Sequence, residues 1–153
     1  MVEIIKSKKN TFGEEIKKFE ILIGEILPDE YKQFLIQHNG GHPEPDGFYF
    51  TLKDNQPEMA MVAWFLALHE GESSNITKSY FGFKYRIPND MLAVARDPGG
   101  SLILLGLKGE NKGKVFFWLR ELEAEDGEPA TYDNVAFVAN SFNEFLDSLI
   151  EVE

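Results

Sequence analysis

His38 and His42 stand four residues apart, the spacing at which two imidazoles on one helix face can share a metal ion. That geometry requires an unbroken helix, and Asn39, Gly40 and Gly41 interrupt any helix between them. The chain has no cysteine, so further ligands would have to be carboxylates or His69. A His38 at a helix C-terminus, where the dipole favours positive charge, is the simpler reading. His69 is followed by Ser73 and Ser74, the ingredients of a Ser–His pair, but no G-x-S-x-G elbow presents a serine. The stretch GLKGENKGKV has the look of a phosphate loop, and its spacing fails. Lys108 stands where the first glycine is needed, and Val115 where Ser or Thr should follow the lysine. A polar hairpin turn explains it better. Asp97 precedes Pro98, Gly99 and Gly100, the position of a turn-forming aspartate. Among 26 acidic residues nothing marks a general acid/base pair. The expectation is therefore no catalytic residue, no cofactor and no metal.

The elements that would hold these residues can be read from periodicity. Phe12, Ile16, Phe19, Ile23 and Ile26 recur at helical spacing, which predicts a helix over residues 11–26, with Thr11 and Glu14 at capping-box spacing. A second helix is predicted over 28–38, with Pro28 at the first position, Asp29 and Glu30 at the positive end of the dipole, and Leu27, Tyr31, Phe34 and Leu35 buried. Asn39, Gly40 and Gly41 stop it, and Pro43 and Pro45 steer the chain into a strand over 47–52. Residues 62–68, VAWFLAL, read as an interior strand. Residues 70–86 are compatible with a short helix or an ordered loop. A meander follows over 91–96, 101–107 and 113–119, separated by the turn compositions DPGG and KGENKG. ELEAEDGEPATYDN reads as an acidic loop, VAFVAN as a short strand or a lead-in, and Ser141 with Glu144 as the capping box of a closing helix. Helices, then antiparallel strands, then a helix make an α+β fold with helices packed on one face of a mainly antiparallel sheet.

At 153 residues and 17.4 kDa the chain predicts one domain over 1–153. Thirteen Phe residues predict an aromatic core. No apolar run approaches the ~20 residues of a membrane span, and no signal segment is visible, which predicts a cytoplasmic protein. The net charge of −11 argues against nucleic acid, whose binding rests on phosphate neutralisation. It would speed the encounter with a basic partner, or serve only solubility.

Three segments, in order, resemble the SUKH superfamily, in particular its subgroup named after a yeast regulator of cell-wall assembly. ILPDEYKQFLIQHNGGHPEPDGF is similar to that family's opening, with a Leu-Pro, an aromatic helix and Asn-Gly-Gly. YRIPNDMLAVARDPGGSLILLGLKGENKGKVFFW is similar to its middle, and VANSFNEFLDSLI to its closing helix. The turn at Asp97–Gly100 departs from the family's freer glycine-rich turn by carrying a proline. The resemblance implies an α+β fold without a shared catalytic centre. It carries over Leu27, Pro28, Tyr31, Asn39, Gly40 and Gly41, with Asp97, Gly99 and Gly100, as structural positions. It does not carry over a partner surface.

That resemblance supplies the leading expectation: an immunity protein that occludes the active site of a secreted toxin of nuclease or deaminase type. Glu121, Glu123, Glu125, Asp126 and Glu128 form the partner-binding patch to test against the alternative of a solvated loop. A second reading is a regulatory adaptor with a cellular protein partner. A third, a hydrolase or ligand-binding enzyme, predicts a deep pocket with convergent polar groups, and a shallow surface around His38, His69 and Asp97 would count against it. The chain is expected to be a monomer or weak dimer. Trp64 and Trp118 are either core residues or exposed anchors.

Overall fold

The computed structural model describes residues 2–53 and 55–152. The order is β1 (Glu3–Ile5), α1 (Gly13–Ile23), α2 (Asp29–Gln37), β2 (His42–Glu44), β3 (Gly47–Phe50), β4 (Glu58–Met61), β5 (Trp64–Phe65), α3 (Ile76–Phe83), β6 (Met91–Arg96), β7 (Leu102–Gly106), β8 (Val115–Trp118), β9 (Val135–Ala139) and α4 (Phe142–Asp147). The centre is an antiparallel five-stranded sheet in the order β5-β6-β7-β8-β9. Two antiparallel pairs, β1 with β2 and β3 with β4, extend it through isolated bridges from Gly41 to Phe65 and from Thr51 to Phe137. The fold is α+β, as the element order predicts.

The meander forms because its strands are β-branched, leucine-rich and aromatic, and because the intervening turns fit. Register assigns the faces. Phe65, Ala95, Ile103, Phe117 and Ala136 oppose one another across successive strands, so they share one face. Trp64, Arg96, Leu102, Trp118 and Val135 share the other. Helices α2 and α4 cover the first face. Phe34 lies 4.8 Å from Phe65, Phe142 lies 5.0 Å from Phe34, and Phe145 and Phe117 flank Phe48 at 5.5 and 5.2 Å. Tilted and edge-to-face pairs of this kind add about 0.5–1.5 kcal/mol each beyond area burial. Helix α3 covers the second face, with Phe83 at 5.8 Å from the buried Trp118. Residues 70–86 thus contain a helix, and the expectation of helices on one face is corrected: α3 follows the β5 edge and packs on the opposite face, so the sheet is covered on both.

Several local expectations are corrected. Helix α1 starts at Gly13, its N-cap is Phe12, and no side chain caps it. Thr11 is instead buried, and its hydroxyl has no hydrogen-bond partner among the described residues. The helix stops at Gly24, so Ile26 leaves the helical repeat and is 64% exposed, as is Phe12 at 61%. Of the predicted stripe, Ile16 and Phe19 are buried and Ile23 packs at the core's margin. Pro28 caps α2 from outside, with ψ 142, while Tyr31, Phe34 and Leu35 are buried as expected. Tyr31 is enclosed with its hydroxyl unpartnered, and burial pushes that phenol upward. Residues 62–68 are not an interior strand. Only Trp64–Phe65 is strand, at the sheet edge, and Gly41 shields that edge by exchanging two backbone hydrogen bonds with Phe65, at 2.7 and 3.3 Å. Trp118 is core, and Trp64 is half-buried against the His42 ring.

At the C-terminal end, Ser141 Oγ accepts the Glu144 N–H at 3.1 Å, as its spacing predicts. The Glu144 carboxylate accepts from Asn140, one residue earlier than a strict capping box requires.

Candidate functional site

The acidic segment leaves β8 through a 3-10 turn at Arg120–Leu122 and then runs without regular structure to β9. It is pinned at both ends. At the first, Glu123 takes a two-pronged hydrogen bond from Arg86, whose Nε and Nη2 donate at 2.8 and 2.9 Å. The Arg86 guanidinium also lies 4.5 Å from the Phe83 ring centroid. That bond holds the Glu123 carboxyl below its ordinary range and raises the Arg86 guanidinium. At the other end Tyr132 donates its hydroxyl to Asp90 Oδ1 at 2.6 Å. The bond to the Asp90 carboxylate, helped by burial, pushes the Tyr132 phenol up to about 12.

Between the pins, Glu125, Asp126 and Glu128 are exposed, as is Glu121 just before them. The segment and residues 84–89 line an open groove of about 860 Å³. Tyr85, 82% exposed, lines the opposite wall. Four of the five predicted acidic residues are therefore free to meet a partner. The fifth, Glu123, is part of the scaffold that holds the others. Sequence reasoning missed Tyr85, Tyr132 and Arg86, since no local pattern marks an exposed aromatic or a partner 37 positions away.

The residues weighed for chemistry do other things. His38 ends α2 in an extended conformation, 5.9 Å from the Phe34 ring, and His42 faces the Ala63 carbonyl at 2.7 Å and Asp46 at 3.5 Å. His69 Nδ1 accepts the Gly71 N–H, which leaves Nε2 to donate to the Ser73 carbonyl at 2.7 Å. The ring closes a loop and does not address the serine hydroxyl. Asp97 Oδ1 accepts from Gly99 N and Ser101 N at 2.9 and 2.7 Å, an aspartate turn as expected. The Gly109–Asn111 stretch is a 3-10 turn within the β7–β8 hairpin, and Lys108 lies 3.4 Å from Glu25. No group of three or more His, Asp or Glu residues able to hold a metal occurs among the described residues. No helix of the described residues is long and apolar enough to cross a membrane.

The corner after α2 is built around Asn39. Its Nδ2 donates to the Lys9 and Leu68 carbonyls, both at 2.8 Å, and its Oδ1 accepts the Leu68 N–H at 2.9 Å. Gly40 has φ 76, and a Cβ there would come within 2.8 Å of Ala67 Cβ and 2.9 Å of the Phe65 carbonyl. Leu27 and Tyr31 are buried in the same core.

A helix–corner–sheet arrangement of this kind, with an antiparallel meander covered on both faces, makes this an α+β protein. The chain belongs to the SMI1 / KNR4 family (SUKH-1), whose pattern matches residues 13–148. It is also similar to the SPbeta prophage-derived uncharacterized protein YokK of Bacillus subtilis (strain 168). The two are 25% identical over 159 residues, which covers 91% of this chain and 74% of that protein.

Proposed function

We propose that this protein is a non-catalytic binding module of immunity type, which neutralises a cognate toxin by occluding a basic substrate groove. Family membership supports the class, since the family includes immunity proteins. A relative carried on a prophage is in keeping with a role in competition between bacteria. The observation that carries the reading to particular residues is the doubly pinned acidic segment. Its chain is tied at Glu123 and Tyr132 before binding, which lowers the ordering entropy lost when the exposed Glu125, Asp126 and Glu128, with Glu121 just before the first tie, meet a partner. Tyr85 beside them supplies a rigid aromatic of the type that dominates interface energetics. Charge would set the association rate, and a contact of about 800 Å² per partner would hold the complex. The protein acts in this reading as one domain in the cytoplasm, by stoichiometric masking.

The test is co-expression with toxin domains encoded beside the gene, scored by growth rescue and one-to-one co-purification. Rescue that persists only while the complex forms supports the reading. Rescue without a complex, or turnover of a substrate by the purified protein, overturns it. Raising salt from 50 to 500 mM should slow association by about tenfold or more.

A further inference from the structure

The chain contains three arginines, Arg86, Arg96 and Arg120, among 15 cationic residues. They come from three separate parts of the sequence, yet all three line one cavity of about 430 Å³ between α3 and the sheet. Lys78 joins them, while Leu66, Leu102 and Phe83 add apolar lining. Four cations face one carboxylate, Glu72, among the lining residues of a protein whose net charge is −11. Solubility does not require such a concentration of guanidinium groups.

Each cation is placed by the fold. Arg96 ends β6 opposite Leu102, on the face that α3 covers. Arg120 follows β8, its backbone N–H donating to Ser101 Oγ at 3.0 Å. Its guanidinium crosses Gly100, where φ is 95 and a Cβ would approach Nη1 to 2.7 Å. That turn favours glycine for its left-handed backbone. Arg86 is fixed by Glu123 and by the Phe83 ring. The amino end of α3, capped by Asn75, borders the same cavity and adds the positive end of a helix dipole. Lys78 pairs with Glu72 and Arg86 with Glu123, whereas Arg96 and Arg120 have no ion-pair partner among the described residues.

We infer that this cavity binds the oxyanion of a small organic ligand, a phosphomonoester fitting it best. Guanidinium forks match phosphate oxygens two at a time, and a phosphomonoester carries about −1.5 to −2 charges at neutral pH, enough to answer both unpaired arginines. The apolar lining receives the organic part, and the volume lies within the range of about 300–1,000 Å³ typical of small-molecule sites. The inference does not depend on the toxin-binding reading, because the cavity is separate from the acidic groove and shares only Arg86 with it.

The test is an amide NMR titration of the full chain with phenyl phosphate, inorganic phosphate and benzoate at constant ionic strength. Saturable shifts at residues 74–79, 99–102 and 120 are expected, tightest for phenyl phosphate, weaker for inorganic phosphate and weakest for benzoate. The R96Q/R120Q double variant, with its thermal midpoint checked first, should bind phenyl phosphate about tenfold more weakly or worse. If the double variant fails to fold, Arg120→Gln alone carries the test, since that residue is exposed. Shifts that rise linearly and scatter over surface lysines, or affinity unchanged in the variant, overturn the site. Equal affinity for benzoate overturns the phosphomonoester assignment.

Discussion

The corner at residues 38–41 and the segment at 123–134 both lack helix and, one isolated bridge at Gly41 apart, strand, and they are built on opposite terms. In the corner, Asn39, Gly40 and Gly41 are all buried. Asn39 meets its polar needs with three internal side-chain hydrogen bonds, and its carbonyl takes the Lys8 N–H at 2.8 Å. In the acidic segment most side chains face solvent, while Glu123 is tied to Arg86, Tyr132 to Asp90, and the buried Asn134 to the Leu119 carbonyl at 3.0 Å. A satisfied buried amide leaves nothing for a partner. Exposed carboxylates held from their ends leave everything for one. Regular structure, or its lack, says little about whether a stretch is scaffold or display; the destination of its polar groups decides.

Changes to the corner should cost most. Asn39→Ala orphans the part-buried Leu68 N–H and the Leu68 and Lys9 carbonyls and should lower stability by about 3 kcal/mol, read by urea denaturation. A loss under about 1 kcal/mol would mean that water replaces the side chain. Gly40→Ala adds a methyl where there is no room, at a left-handed backbone, and should cost about 2 kcal/mol or more on the same measurement. At the pinned end of the display segment, Glu123→Gln should cost no more than about 1 kcal/mol, since the pair is partly solvated. It should weaken partner binding by more than that change in charge explains, because the neighbouring carboxylates lose their anchor. Equal losses for Glu123→Gln and Glu128→Gln would dissolve the distinction between anchor and display.

The Tyr132 tie has a signature in pH. Its folded phenol is raised from 10.0 to about 12, so its contribution to stability is whole below pH 10 and is lost as pH climbs to about 12. An NMR titration of the Tyr132 ring should show a midpoint above the ordinary phenol value, returning toward it in Asp90→Ala. The smallest effect on the fold belongs to the free charges. Replacing Glu121, Glu125, Asp126 and Glu128 by their amides should change stability by no more than about 0.5 kcal/mol while slowing association with a basic partner. Unchanged association kinetics would move the contact surface elsewhere.

Much of the scaffold can be read along the chain. The meander is visible because runs such as SLILLGL and GKVFFWL meet turn-rich breaks, and α2 because Asp29–Glu30 and Asn39–Gly41 mark its ends. The strands β1, β2 and β4 are not visible. Three or four residues are too few to show a period of two, and Pro43 sits inside β2. The apolar run at 62–68 misleads for a different reason, since burial of both faces arises here at a sheet edge covered by the Gly41 backbone. For the site, the acidic residues are plain in composition, but their division into one anchor and four free groups depends on Arg86, 37 residues away. The convergence of three arginines depends on register across β6 and β7 together with the packing of α3, neither of which leaves a trace in local sequence.

Asn39 ties together chain segments near residues 9, 39 and 68 through both ends of one amide. Small proteins commonly obtain such long-range fastening from a disulfide, and this chain has no cysteine to form one. Its corner is consequently indifferent to the thiol–disulfide balance, and it holds equally well in reducing and oxidising surroundings.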